Sequence, residues 1–301
     1  MRAAPVLLAA ALAAPPAGAA TLSVSPPSAR PGDAVWVSVE GAEAPPSGTL
    51  AGRPLAFWAS GGRWHALAPL PIETPVGTAA VEVLAGQPLA AAIEVVDAGF
   101  REKALSVPPR FVDPSARAKR RIAADRRAFR RAYDRPFEPP LFDGPFDWPR
   151  RAESTGRFGD RRTFNGKQAS VHYGLDLDGP VGAPVLASNG GRVVLARDCY
   201  MSGRTVILWH GAGVYSLYFH LSEIAVASGQ DVARGDLVGR VGATGRVTGP
   251  HLHWSVKVDG LYVDPESILR VDPTAAPSLA APAPEADPAT AASAGADPTR
   301  R

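Results

Sequence analysis

The chain has 301 residues, 30 of them glycine and 31 proline, so its length suggests two domains and its composition disfavours long uninterrupted helices. The formal net charge is +3, yet Pro114 to Arg135 alone carries nine bases against two acids, and the rest of the chain is net acidic. Bases are not spread over a recognition domain with interleaved aromatics, which argues against nucleic-acid binding, and the single Cys199 excludes an intramolecular disulfide or a multi-thiolate zinc site.

Residues 1–20 hold one early base, Arg2, then an apolar stretch from Val6 to Ala14, the pair Pro15-Pro16 and the small residues Ala17-Gly18-Ala19. This pattern is that of a cleavable secretory signal, and it predicts a mature protein outside the cytoplasm, in the periplasm or at the cell wall. From Thr21 to about residue 98, short alternating runs such as Ala34-Val35-Trp36-Val37-Ser38-Val39 and Ala79-Ala80-Val81-Glu82-Val83-Leu84 are broken by turns, which predicts a small β-sandwich. Its one histidine, His65, has no second ligand type nearby and is expected to be structural.

Residues 99–145 read as a linker with a basic helix at about 114–133, opened by Asp113 as N-cap and Pro114 in the first turn. Ala118, Ile122, Phe129 and Tyr133 form a narrow apolar stripe, which places the helix on a surface. Its bases are expected to face solvent, with attraction to an anionic envelope polymer or lipid as the functional alternative. A proline-rich stretch from Pro136 to Pro149 then leads into a second domain, residues 146–270, expected to be separable from the sandwich. Residues 271–301 are almost all Ala, Pro, Asp, Ser, Thr and Glu and cannot bury enough apolar area to fold.

Five of the six histidines fall between His172 and His253. The run Leu252 to Val258 alternates as a strand, so His251 and His253 project to one face, roughly 6.6 Å apart along the backbone. They can share a site as two ligands, or as one ligand and one acid/base group. His172 and Asp176 would lie about 13 Å apart on a straight strand, so the chain must bend between them for both to grip one ion, and Gly174 could allow it. Imidazole and carboxylate suit Zn²⁺, and three protein ligands with one open position is the catalytic arrangement. His210, ending a strand beside a turn, reads as structural or supporting, and Cys199 as a small packed residue.

The segments His172-Tyr173-Gly174-Leu175-Asp176-Leu177-Asp178, Tyr218-Phe219-His220-Leu221-Ser222, and Gly242-Ala243-Thr244-Gly245 followed by Gly249-Pro250-His251-Leu252-His253-Trp254 resemble the lysostaphin/LytM-type zinc metallopeptidases. Phe158-Gly159 to Asn165-Gly166 and Val263-Asp264-Pro265 resemble that family's flanking segments. The resemblance implies a compact antiparallel β domain that hydrolyses peptide bonds of bacterial peptidoglycan. By position it makes His172, Asp176 and His253 the zinc ligands and His220 and His251 the catalytic pair. The alternative is a catalytically silent wall-binding regulator that activates another hydrolase. A scaffold of that kind needs no acid/base pair, and the full set present here favours the enzyme.

Overall fold

The structure, a computed structural model, describes residues 19–271. The reading of residues 1–20 as a signal, but for the last two, and that of the tail beyond 271 lie outside the described residues.

The protein is mainly β. Its N-terminal unit stacks a four-stranded sheet, in the order Thr21–Ser25, Ala34–Glu40, Arg63–Pro69 and Trp58–Ser60, on a five-stranded one that includes Gly77–Leu84 and Pro88–Val95. Alternation does the folding here: Ala79, Val81 and Val83 point inward from Gly77–Leu84 while their neighbours stay exposed. They meet Val35, Val37, Val39 and Ala66 in one core. His65 is buried beside Trp36 and Trp58 and bonded through Nδ1 to Ser38 Oγ at 2.7 Å, a structural role.

Ala34–Glu40 is apolar on both faces because both are covered. Val35, Val37 and Val39 face the sandwich core, whereas Ala34 and Trp36, with Trp58 and Leu67, join the buried cluster of the second unit, alongside Leu175, Trp254 and Val263. Polar links flank this apolar contact: Ala34 N donates to Ser267 Oγ at 2.8 Å, Asp264 N to Gly32 O at 2.7 Å, and Arg270 pairs with Asp33 at 3.0 Å. The two units therefore share a hydrophobic interface, a contact that the alternation of the strand alone did not reveal.

The linker is more than a spacer. Glu102–Leu105 pairs in parallel with Arg161–Phe164, which forms a hairpin with Gln168–Val171. The run is short and half-charged, so nothing in its pattern announces a strand. The basic helix spans Ala116–Tyr133 and starts two residues later than Asp113-Pro114 suggested, because Ser115 is the cap and its side chain accepts from Ala118 N. The expected stripe is largely present, with Ala118 buried and Phe129 and Tyr133 packed on the sheet, and it is wider than expected. Ala118, Ala128 and Ala132 are buried with Asp125, whose carboxylate accepts from Arg197 Nε at 3.0 Å and Tyr200 N at 2.8 Å.

The second unit is built on an eight-stranded sheet. In spatial order it runs Ser154–Gly156, Leu175–Asp178, His251–Val258, Val214–Leu221, Gly203–Trp209, Gly191–Cys199 and Asp231–Val232, with Leu261–Val263 also on His251–Val258. All these pairings are antiparallel. The basic helix packs against this sheet through Leu195, Ile207, Trp209, Tyr215 and Leu217. Cys199 is buried, and burial pushes its thiol up to about 11, consistent with simple packing.

Candidate metal centre and histidine pair

Strand register assembles the site. Leu175–Asp178 runs antiparallel to His251–Val258 with Asp176 opposite His253, so the two side chains share a face as cross-strand neighbours. His172 arrives from the chain just before, strapped to the Phe158–Asp160 segment by His172 N to Asp160 O at 2.9 Å and Gly159 N to His172 O at 2.8 Å. The chain bends at Gly174, as the spacing requires, without a left-handed φ, and the missing side chain matters as well. A Cβ there would lie 2.5 Å from Trp254 O, 2.6 Å from Ser255 Oγ and 2.8 Å from His253 Nε2.

Three acceptor atoms converge. His172 Nε2 is 3.0 Å from Asp176 Oδ1 and 2.9 Å from His253 Nδ1, and His253 Nδ1 is 2.9 Å from Asp176 Oδ1. Neighbouring groups fix both tautomers. His172 Nδ1 lies 2.7 Å from Arg157 O, an acceptor only, so Nδ1 carries the proton and Nε2 the lone pair. Ser255 Oγ donates its one proton to Tyr173 O, so it accepts from His253 Nε2–H at 2.7 Å, and Nδ1 of that ring is left with its lone pair. Two imidazole lone pairs and a carboxylate oxygen thus point at one place with no proton to share, which is the donor set of a divalent cation site.

Asp176 is held as carboxylate. Burial opposes ionisation, but the surrounding imidazoles of His172, His251 and His253 outweigh it and hold the group well below the ordinary range. Its second oxygen accepts from Arg162 Nη2 at 2.7 Å. Burial lowers His253 to about 4, so the ring is neutral near pH 7 and available as a ligand.

His220 and His251 face each other beside this triad, their ring centroids 5.0 Å apart. Each is anchored through Nδ1 to a backbone carbonyl, His220 to Thr244 O at 2.8 Å and His251 to Gly249 O at 2.9 Å. Each therefore turns Nε2 toward the groove, and His251 Nε2 lies 3.4 Å from Asp176 Oδ1. His220 sits at φ +65°, a left-handed conformation costly for a non-glycine residue, near a register shift between Val214–Leu221 and Gly203–Trp209. The Gly242–Gly245 turn clamps it. Gly242 bridges to His251 and would drive a Cβ to within 2.6 Å of His220 O, so one turn supports both histidines. Burial, followed by the nearby His251 and His253, pushes His220 well below the usual histidine value.

The structure brings His172, Asp176, His220, His251 and His253 to one groove of about 400 Å³, also lined by Lys103, Leu105, Phe164, Tyr173, Arg246 and Tyr262. His210 lies elsewhere, fully buried between Gly190 O and Ser216 Oγ. Sequence reasoning missed Arg162 and Ser255, although alternation could have found both. Ser255 shares a face with His253, and Arg162 shares one with the buried Phe164.

Peptidase family M23 matches residues 170–265. A crystal structure of a putative peptidase M23 from Pseudomonas aeruginosa is 31% identical, covers 79% of this chain and 94% of its own, and superposes with a TM-score of 0.59. The peptidoglycan DD-endopeptidase ShyA of Vibrio cholerae is 45% identical over 98 residues, 33% of this chain and 23% of that protein. The DD-carboxypeptidase/endopeptidase Mpg of Neisseria meningitidis is 40% identical over 103 residues, 34% of this chain and 24% of that one. The chain thus spans about a quarter of the length of these curated relatives.

Proposed function

The chain belongs to peptidase family M23, and from that premise we propose that it is an exported zinc-dependent endopeptidase cutting peptide bonds of bacterial peptidoglycan. The observation that carries the reading is the proton-free triangle of His172 Nε2, Asp176 Oδ1 and His253 Nδ1. When bound there, zinc supplies Lewis-acid polarisation of the scissile carbonyl and lowers the pKa of a water. His172 and His253 give neutral nitrogen donors, and Asp176 gives one anionic oxygen while Arg162 occupies the other.

His220 and His251 provide the proton chemistry. Their Nδ1 atoms are committed to Thr244 O and Gly249 O, so only Nε2 of each is available to a substrate. One accepts the proton of the attacking water; the other hydrogen-bonds the developing oxyanion or protonates the leaving amine. Phe219 stacks on His253 with ring centroids 5.2 Å apart and keeps that ligand from rotating. The groove between the Glu102–Leu105 segment and the Tyr173–Tyr262 stack accommodates an extended peptide, and its floor holds the five residues above.

The names of the relatives point to peptidoglycan as the substrate and, with the signal-like residues 1–20, to export. Among the described residues no helix is long and apolar enough to cross a membrane. The test is digestion of purified peptidoglycan with and without a chelator, read by mass spectrometry of the released fragments. Chelator-sensitive release of peptide-cleaved muropeptides supports the proposal. Intact peptidoglycan after incubation with zinc-loaded protein contradicts it and leaves the regulator.

A further inference from the structure

The basic helix Ala116–Tyr133 has no part in the chemistry above. Arg117, Arg120, Arg126, Arg127, Arg130 and Arg131 are exposed, and among the described residues none of the six forms an ion pair. The acid within the helix, Asp125, is buried and committed to Arg197 and Tyr200. Several of the cations stand three or four residues apart, as in Arg126–Arg130 and Arg127–Arg131, so their mutual repulsion works against the helix. An anionic partner would relieve it.

Two further features choose the partner. The helix has spent its apolar side, Ala128 and Ala132 with Phe129 and Tyr133, on the sheet beneath, so it cannot sink into a bilayer itself. The chain leaving its C-terminal end nonetheless exposes two large apolar side chains, Phe137 and Leu141, each 46% exposed. They are held at that end of the sheet: Arg135 lies 5.9 Å over the Trp209 ring, and Leu141 N donates to His210 O at 2.7 Å. A soluble polyanion would use the cations alone. A lipid surface uses the cations at its phosphates and the apolar pair at its acyl boundary.

We propose that the Ala116–Tyr133 helix, together with Phe137 and Leu141, is a peripheral docking surface for an anionic phospholipid bilayer. The helix lies beside the groove on the sheet, since Phe129 on its inner face lies 6.0 Å from Phe219, whose ring stacks on His253.

Co-sedimentation of the full chain tests this, using vesicles of phosphatidylcholine alone and of phosphatidylcholine with phosphatidylglycerol. The protein should bind the anionic vesicles, release from them at high salt, and ignore the neutral ones. Joint replacement of Arg126, Arg127, Arg130 and Arg131 by Gln should weaken binding by at least about 10²-fold. The double change Phe137→Ser and Leu141→Ser should weaken it by about tenfold with the salt dependence kept. All these side chains are exposed, so a melting temperature no lower than that of the wild type verifies the fold of each variant. Equal binding to neutral vesicles, or unchanged binding by the arginine variant, overturns the proposal. So does failure to bind anionic vesicles while a soluble sulfated polysaccharide is retained, which would assign the helix to a polyanion.

Discussion

Ser255 does for His253 what Arg157 O does for His172: it occupies one ring nitrogen and leaves the lone pair of the other for the proposed ion. Replacing Ser255 by Ala removes the acceptor for Nε2–H and the lock on the tautomer without touching a ligand atom. Zinc affinity measured by chelator competition should fall about 10- to 100-fold with little change in fold; an unchanged affinity would mean that Phe219 stacking alone orients the ring. His210 makes a different prediction, because it is fully buried away from the groove and burial lowers it from 6.5 to about 4. The unfolded chain takes up this proton below about pH 6.5 while the folded ring resists it until about 4. Its contribution to stability is therefore complete above about 6.5 and lost as the pH falls toward 4, by up to about 3 kcal/mol. NMR titration of the His210 ring should give a midpoint near 4, and one near 6.5 would contradict the burial argument.

At the scale of elements, the Gly242–Gly245 turn couples the two groove histidines while contributing no ligand. Gly242→Ala places a methyl against His220 O and should displace both imidazoles. Turnover should then drop by about 10²-fold or more, because misplaced acid/base groups forfeit most of their effect. Zinc content should stay near wild type, since His172, Asp176 and His253 hang on other segments; loss of zinc would show the turn to be part of the metal site. The histidine cluster and the Leu252–Val258 strand were legible in the sequence because alternation and residue chemistry are local. Ligand roles came from resemblance, since spacing cannot reveal that Asp176 sits opposite His253 in an antiparallel register. The chain bends at Gly174, as the His172–Asp176 spacing requires, but the close approach of Trp254 O and Ser255 that also excludes a side chain there is a long-range fact that no local pattern carries. The Glu102–Leu105 strand was invisible for the same reason: its pairing with Arg161–Phe164 crosses more than fifty residues.

At the scale of the whole molecule, the sandwich and the second unit are joined by an apolar contact around Trp36, Trp58 and Leu67. Alternation indicated which residues of the sandwich are buried but not that a second face of Ala34–Glu40 is covered by another unit. Trp36→Ala should cost about 3–5 kcal/mol and lower the melting temperature, and a fragment beginning at residue 99 should melt below the full chain. A fragment as stable as the whole would show the contact to be incidental. The central claim, that three of the five groove residues hold zinc and two move protons, is decided by comparing His253→Ala with His251→Ala for zinc content and peptidoglycan hydrolysis. The account predicts that His253→Ala loses both zinc and activity, while His251→Ala keeps close to one zinc and loses about 10²- to 10⁴-fold in rate. Equal zinc loss in the two variants would make His251 a ligand, and full activity in either would contradict the mechanism.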